Sequence, residues 1–363
     1  MELDWEIPPV SADGPLLALD VGGGTQDFLL WQPGQLLENA VKLVLPAPTV
    51  VLARRLQELT AAGQAVFLTG RQMGGGALSS AVRRHLAKGL AVFTTPEAAL
   101  TLHDNQEAVK SWGVVITEAL PRHAVTVTLG DVDLDSLKWL CQTFQVPFPS
   151  RFAVAVQDHG YNPQGSNRRF RFQHWENFLA AGGRLRNLAY REVPAYLSRM
   201  RTVAEVLPGA LLMDTCAAGV RGALLDERAR AGQTDGLTVV NVGNAHTFAA
   251  LVQGDRLWGI YEHHTGLLTP EKLADHLRRF QANALTNEEI FADNGHGCAI
   301  APDYAAERPF TLTVITGPHR RLAREWPGGI FAAPCGDMML SGCFGLAAAF
   351  LEMERLPLNL GDC

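Results

Sequence analysis

Two stretches of the chain combine residue types that could hold a phosphate group and a metal ion. The first contains Asp20, glycines at 22–24 and Thr25, between the apolar runs Leu16–Leu19 and Phe28–Trp31. Consecutive glycines let backbone N–H groups converge on an anion, and a carboxylate at the end of a strand can hold a hydrated Mg²⁺. A β-hairpin with a glycine turn explains the same residues, so both interpretations stay open for this stretch alone.

The second stretch, residues 237–252, repeats the order of the first. An apolar strand is followed by Asn241, a valine, Gly243, a short polar turn, Thr247 and a second apolar strand. In a Rossmann or P-loop protein the glycine turn leads directly into a helix, whereas here both turns lead into strands. Two such units, each with backbone amides and a hydroxyl, indicate two lobes that grip one phosphate chain.

The segments that must position these turns alternate between strands and helices. Strands are predicted at 40–45, 65–70, 90–94, 112–116, 125–130, 152–156 and 312–316, of which 65–70, 152–156 and 312–316 are expected to be buried. Helices are predicted at 49–62, from 77 through 85, from 95, and at 135–144, 194–206, 213–225 and 336–350. Strands that alternate with helices indicate an α/β protein with a largely parallel sheet.

Composition excludes several classes of partner. The chain has 363 residues, of which 47% are hydrophobic and 19% are charged, so we expect two domains with a large core. A net charge of −6 gives no electrostatic reason to expect nucleic acid or an anionic membrane surface. No apolar run approaches the roughly 18 residues of a membrane helix, and the acidic segment 1–6 does not resemble a signal peptide. A cytoplasmic location is expected.

The cysteines do not form a cluster motif. They are scattered over the chain, with neither a C-x-x-C pair nor a C-x-x-x-C-x-x-C run: Cys141, Cys216, Cys298, Cys335, Cys343 and Cys363. Most are expected to be reduced thiols in or near the core.

Other candidate residues have two interpretations each. Gly70–Gly76 has P-loop spacing without the lysine, so a loop that faces the cleft is expected. Arg168, Arg169 and Arg171 could bind a small anionic substrate, or they could belong to a solvated loop.

The histidines are a further open question. His263, His264 and His296 could converge on a metal or be strand-end histidines satisfied by hydrogen bonds. Asp158 and His159 could be an acid–base pair or part of a polar loop.

Five motifs in order resemble those of the actin-like ATPase superfamily, which includes actin, chaperone ATPases, and sugar and acetate kinases. They are the two hairpins, the small-residue helix at 213–225, the strand and glycine turn at 312–318, and the helix at 336–350. The resemblance implies a two-lobed, ribonuclease H-like fold with duplicated mixed sheets flanked by helices. It places lobe I at 15–212, completed by a helix at 338–356, and lobe II at 213–337.

The resemblance also implies site residues. ATP and Mg²⁺ would lie between the lobes, with Asp20 holding the metal through water and Asp214 orienting water or acting as a base. Gly317 would approach the adenosine. The phosphates would be contacted by Gly22, Gly23, Gly24, Thr25, Gly243, Asn244, His246 and Thr247. The chain is then expected to be an ATPase or a small-molecule kinase.

One position departs from the superfamily pattern. Asn241 stands where a second carboxylate is usual, so Asp20 is expected to be the only carboxylate of the two hairpins that serves the metal. This keeps open a nucleotide-switched sensor or interaction protein that hardly turns over. Within the superfamily the chain is similar to a prokaryotic family labelled pyruvate formate-lyase activating enzyme-like. A radical-SAM activase needs a three-cysteine cluster motif, which the sequence lacks.

Overall fold

The computed structural model describes residues 14–305, 310 and 312–356. Its strands are β1 Leu16–Val21, β2 Thr25–Trp31, β3 Val41–Pro46, β4 Ala65–Gly70, β5 Val92–Thr94, β6 Val115–Ile116, β7 Ala124–Leu129, β8 Arg151–Val156, β9 Ala189–Tyr190, β10 Leu211–Met213, β11 Leu237–Val242, β12 His246–Gln253, β13 Arg256–His264, β14 Gly297–Ile300, β15 Leu312–Thr316 and β16 Gly329–Phe331.

The α-helices and the short 3₁₀ turns complete the element order. The helices are α1 Pro48–Ala61, α2 Gly76–Ala87, α3 Pro96–Ala99, α4 Gln106–Ser111, α5 Leu134–Phe144, α6 Asn167–Ala180, α7 Ser198–Val206, α8 Thr215–Ala223, α9 Glu227–Gly232, α10 Pro270–Gln281, α11 Asn287–Ala292 and α12 Ser341–Met353. The 3₁₀ turns are Leu37–Asn39, Leu185–Leu188, Thr265–Leu267, Arg320–Ala323 and Pro334–Gly336.

The molecule contains the same arrangement of five strands twice, in two mixed sheets whose sixth strands lie at opposite edges. One six-stranded sheet has the order β3-β2-β1-β8-β10-β9, and the other has the order β14-β13-β12-β11-β15-β16. In both sheets a three-stranded antiparallel meander, β1–β3 or β11–β13, is followed by two parallel strands on the side of its first strand. The duplicated α/β fold predicted from the sequence is confirmed by this topology.

A third, four-stranded sheet is inserted between β3 and β8. Its order is β6-β5-β4-β7, and all of its pairings are parallel. Leu56 of α1, Leu78 and Val82 of α2, and Val66 and Val127 of the sheet are buried in a core that belongs to this insertion. The insertion therefore folds around its own apolar residues beside the first duplicated sheet.

The two duplicated sheets share a core that is built around α8 and α12. One buried cluster includes Ala18 of β1, Val239 of β11, Ala217 of α8 and Ala347 of α12. The helices cross with their backbones in contact, because a Cβ on Gly222 would lie 1.6 Å from the Ser341 carbonyl oxygen. Small residues at this crossing were expected from the sequence, and their role is close helix packing.

Of the two interpretations left open for Arg168, Arg169 and Arg171, the solvated loop is wrong, because these residues lie in helix α6. Two predicted helices begin later than expected. The helix predicted from residue 213 begins at Thr215, after the strand Leu211–Met213. The last helix begins at Ser341, after a 3₁₀ turn at Pro334–Gly336. The predictions for segment 1–6 and for Cys363 lie outside the described residues. Within the described part of the chain, every helix is too short or too polar to span a membrane.

Candidate functional site

A cavity of about 500 Å³ lies where the two duplicated sheets and the inserted sheet meet. Both hairpin turns, the start of α8 and the loops after β4 and β8 contribute to its wall. Most of the site residues predicted from the sequence line it: Asp20, Gly22, Gly23, Thr25, Asn241, Gly243, Asn244, His246 and Gly317. Gly24, Thr247 and Asp214 are not among the lining residues.

The two hairpin turns have the same construction. The Gly22 N–H donates to the Thr25 carbonyl oxygen over 2.9 Å, and the Gly243 N–H donates to the His246 carbonyl oxygen over 2.9 Å. A Cβ on Gly243 would lie 2.7 Å from that oxygen, so the turn needs glycine there. The structural equivalent of Thr25 is therefore His246.

Thr247 does not have the position that the sequence repeat suggested. Its side chain is fully buried, and its Oγ1 lies 3.0 Å from the Oγ1 of Thr265. Thr247 therefore holds the 3₁₀ turn that follows β13, and His246 presents its ring to the cavity instead.

The two turns touch each other. A Cβ on Gly24 would lie 2.8 Å from the Asn244 Cβ, and a Cβ on Gly23 would lie 2.9 Å from the Ala245 Cβ. The Asn244 amide also donates weakly to the Thr25 hydroxyl, over 3.5 Å. Glycine at 23 and 24 lets the turns from the two sheets approach this closely.

Two carboxylates face each other at the base of the first turn. Asp20 of β1 is directly opposite Asp27 of β2 in the antiparallel register, and both line the cavity. Within the described chain, the Oδ1 atom of each is buried without a hydrogen-bond partner. Burial raises the pKa of Asp20 well above its usual value, and the Asp27 charge adds to this effect. Burial raises the pKa of Asp27 to about 7, against a hydrogen bond from Thr25.

Asp27 is a second candidate metal ligand, beside Asp20, that the sequence prediction missed. The length of the turn could have identified Asp27 from the sequence. A four-residue turn closed by the Gly22–Thr25 hydrogen bond places residue 20 opposite residue 27 on the same face of the sheet. Unpartnered carboxylate oxygens are the donor set that a hard divalent cation prefers, so these residues fit Mg²⁺.

Asp214 is held by a buried ion pair. It caps the N-terminus of α8, and Arg171 donates to its two oxygens over 2.7 and 3.0 Å. Burial opposes ionisation, but the Arg171 guanidinium outweighs it and lowers the pKa of Asp214. Arg171 also donates to Glu262 over 2.8 Å. These contacts favour a structural role for Asp214 over the predicted role in orienting water.

In the second hairpin, the position equivalent to Asp20 is occupied by an uncharged residue, Asn241. Its amide donates to the Thr316 hydroxyl over 3.1 Å, and the residue opposite it in the register is Phe248. The second hairpin thus presents an amide and a phenyl ring at the two positions where the first presents carboxylates.

The three arginines predicted near an anionic substrate are all engaged. Arg169 pairs with Glu288 on the surface, and its guanidinium lies 3.9 Å from the Phe291 ring centre. Arg168 donates to the Gly295 carbonyl over 2.6 Å and packs on the same ring. Together with the Arg171 ion pairs, these contacts attach α6 to the second sheet.

Asp158 and His159 do not pair with each other. The Asp158 carboxylate accepts backbone hydrogen bonds from Gly160 over 2.8 Å and Met200 over 2.9 Å. These bonds oppose the effect of burial, which raises the pKa of Asp158 to about 6. The His159 ring points instead to His296, with 2.9 Å between the two Nε2 atoms.

The histidines of β13 point in two directions. His263 lies on one face, where its Nε2 is 3.0 Å from the Asp293 carboxylate. His264 lies on the other face, with His246 and His296. One of the three predicted histidines is therefore a hydrogen-bonded structural residue, and the other two converge.

The loops on both sides of the cavity depend on glycine. Gly70 and Gly317 have φ values of 90° and 95°, and a Cβ on either would lie 2.4 Å from a backbone oxygen. The loop after Gly70 faces the cavity through Gln72–Ala77, in agreement with the sequence prediction.

A family model described as "Putative pyruvate format-lyase activating enzyme (DUF1786)" matches residues 73–322. The chain belongs to this family. The family label anticipated from the sequence is confirmed. The match covers strands β5–β7 of the inserted sheet, α8 and the second hairpin, and begins after the first hairpin and β4. No curated protein matches the chain.

Solved structures similar to the chain include a nucleotide-free acetone carboxylase, from a study of ATP-dependent acetone carboxylation. It is 9% identical with a TM-score of 0.33, over 93% of this chain and 70% of that one. An Aquifex aeolicus PPX-GPPA enzyme is 12% identical, with a TM-score of 0.28, over 84% and 67%. A second Aquifex aeolicus structure of the Ppx/GppA family is 11% identical, with a TM-score of 0.30, over 94% and 91%. The duplicated topology, and not these scores, establishes the fold.

Proposed function

We propose that the chain binds ATP with Mg²⁺ in the cavity between its duplicated halves and acts as an ATPase or a small-molecule phosphotransferase. The observation that carries this proposal is the pair of identically built hairpin turns, one from each sheet, that meet at the cavity. Backbone amides that converge from two sides can bind a chain of phosphates. The cavity volume of about 500 Å³ also lies in the range of small-molecule sites.

In this proposal the residues of the first hairpin supply most of the groups that bind Mg²⁺ and the phosphates. Asp20 and Asp27 would hold a hydrated Mg²⁺, which supplies charge neutralisation to the phosphates when it is bound. The Gly23 and Thr25 groups would orient the phosphates from one side, and those of Asn244 from the other. The Gly22 and Gly243 N–H groups hold the two turns in shape. Phosphoryl transfer depends chiefly on positioning and charge stabilisation, which such groups can provide.

A second candidate is a nucleotide-switched interaction protein with little turnover. Two observations favour it. Asn241 contributes no charge to the metal, and both Asp214 oxygens are already bound by Arg171. A chain without a free base beside the phosphates would bind nucleotide and change its domain closure while it hydrolyses slowly. A radical-SAM reaction is not part of the proposal, since the sequence has no C-x-x-x-C-x-x-C run.

Calorimetric titration of the purified chain with ATP, with and without Mg²⁺, tests the proposal. We expect Mg²⁺-dependent binding that weakens about 100-fold in Asp20→Asn, because a charged ligand of the metal is lost. Asp135→Asn is the matched control, since the Asp135 side chain is 98% exposed on α5. Nucleotide affinity that is unchanged in Asp20→Asn would contradict the metal role.

Phosphate release by the wild type, alone and with a panel of metabolites, separates the two candidates. Release without a metabolite indicates an ATPase, and release that needs one metabolite indicates a phosphotransferase. Tight ATP binding without release under any condition indicates the switch. If ATP does not bind at all, both candidates are wrong.

A further inference from the structure

Three histidines converge beside the cavity, on a face of the second sheet. His246 begins β12 and His264 ends β13, and the two residues are directly opposite in the antiparallel register. His296 precedes β14 and donates its backbone N–H to the Glu262 carbonyl over 3.0 Å. One ring nitrogen from each histidine lies within 4.8 Å of the others.

A fourth histidine reaches the cluster from the first sheet. His159 follows β8, and its Nε2 lies 2.9 Å from the Nε2 of His296. The His159 and His246 ring centres are 6.4 Å apart, and both residues line the cavity. The cluster therefore spans the junction of the two halves, with one side open to the cavity.

The rings are suited to ligation and poorly suited to carrying charge. Burial and the neighbouring rings lower the pKa of His246 to about 3, and burial also lowers the pKa values of His159, His264 and His296. Neutral imidazoles present lone pairs, which late first-row divalent metals prefer. Within the described chain, the buried Nδ1 of His296 has no hydrogen-bond partner.

The spacing is compatible with a single ion. Nitrogen ligands about 2.0–2.1 Å from a tetrahedral zinc are about 3.4 Å from one another. A spread of 4.8 Å closes to this value when the rings move by about 1 Å. The Glu262 carboxylate, 3.9 Å from His296 Nδ1 and fixed by Arg171, is placed to orient that ring as an outer-shell partner does.

We propose that His246, His264 and His296 bind one Zn²⁺-like transition-metal ion, and that His159 supplies a fourth ligand from the other half of the molecule. The site differs in chemistry from the Asp20–Asp27 pair, because its donors are imidazole nitrogens and not carboxylate oxygens. It does not depend on nucleotide binding. A metal held there lies at the cavity wall, where exchange of the His159 ring opens a coordination position to a ligand in the cavity.

Metal titration of the chelator-stripped full chain, without nucleotide, tests this proposal. We expect one equivalent of Co²⁺ with the intense visible absorption of a tetrahedral nitrogen site, displaced by Zn²⁺ and not by excess Mg²⁺. His264→Gln and His246→Gln should each weaken binding at least about 100-fold, and His159→Gln about 10-fold.

Two variants serve as controls. His123→Gln removes an exposed histidine of the inserted sheet region, and His263→Gln removes the neighbour of His264 that points to the opposite face. Both should keep the full absorption band. Since His246 and His264 are only partly buried, their variants should fold where His296→Asn does not, and thermal melting checks this.

The result that overturns the proposal is Co²⁺ binding that is absent, or that is as strong in His246→Gln and His264→Gln as in the wild type. Loss of binding in His123→Gln would show an adventitious surface site and would also overturn it. ATP binding that fails while Co²⁺ binding persists would contradict the proposed function alone.

Discussion

Two buried pairs of carboxylates lie near the cavity, and they differ in how their charge is balanced. Asp214 and Glu262 share the Arg171 guanidinium, which donates to both of them. Asp20 and Asp27 face each other across β1 and β2, and each keeps a buried oxygen that has no partner within the described residues. The oxygens of the first pair are all hydrogen-bonded, and the pair shares one positive charge, whereas the second pair needs protons or a cation.

This difference separates structure from ligand binding. A buried carboxylate that is bound on both oxygens by arginine has little left to offer a ligand. A buried pair without a cation costs stability until something neutralises it. Arg171 therefore marks the structural centre that joins α6, α8 and β13, and Asp20 and Asp27 mark the place for an added cation.

The largest effect on the free energy of unfolding is expected when Arg171, which bridges Asp214 and Glu262, is replaced. Arg171→Met leaves two buried carboxylates without a cation and should lower the free energy of unfolding by about 3–5 kcal/mol. Arg169→Met, two residues earlier, removes a surface pair with Glu288 and a contact with the Phe291 ring, and should cost about 1 kcal/mol. Urea unfolding of both variants measures the contrast. Equal losses in the two variants would remove the distinction between the pairs.

A substitution in the Asp20–Asp27 pair is expected to raise the stability of the protein, whereas Arg171→Met lowers it. The pKa of Asp27 is about 7 in the folded chain against 3.8 for the free side chain, so its contribution to stability is lost as pH rises through this interval. The stability of the wild type relative to Asp27→Asn should fall by about 1.4 kcal/mol per pH unit there. Asp20 faces Asp27 across the two strands. The pKa of Asp27 is also lowered by the hydrogen bond from Thr25 and raised by the charge of Asp337.

Melting temperatures between pH 5 and pH 8 measure this effect. Mg²⁺ should restore stability to the wild type at pH 8 and have little effect on Asp27→Asn. A pH profile that is the same in both proteins would show that the pair is screened by solvent.

The smallest effect is expected when the second hairpin is made more like the first. Asn241→Asp adds a carboxylate near the cavity and should strengthen Mg²⁺-dependent ATP binding by about 3- to 10-fold. Asn241→Ala also removes the hydrogen bond to Thr316 but adds no charge, so it should leave the Mg²⁺ dependence unchanged. Calorimetry at several Mg²⁺ concentrations compares the two variants. Weaker binding in Asn241→Asp would place the metal away from this hairpin.

The repeated strand–turn–strand units could be predicted from the sequence because each leaves a local pattern of apolar runs and glycines. Asp27 could not be singled out, since its position opposite Asp20 depends on a register that becomes defined only when the turn is closed. The role of Arg171 in joining buried carboxylates was not among the interpretations of the sequence, because its partners lie 43 and 91 residues away. Contacts between residues so far apart in the chain cannot be predicted from the local periodicity of apolar residues.

The histidine cluster shows the same limit. His159, His246, His264 and His296 come from four separate segments, and only the pairing of β12 with β13 and the junction of the two sheets bring them together. The sequence left His263 and His264 equivalent. The pleat of β13 separates them, because successive side chains of a strand point to opposite faces.

The crossing of α8 and α12 has a mechanical consequence. The chain passes from the first duplicated sheet towards the second through α8, and α12 returns from the second to pack against β1. Because a Cβ on Gly345 would lie 2.0 Å from the Ala218 carbonyl oxygen, backbone and not side chain forms the contact. Two helices in backbone contact can rotate against each other without a change of side-chain rotamer. We expect this crossing to act as the hinge between the two halves, so that a small rotation of the helices becomes a large displacement at the edge of the cavity.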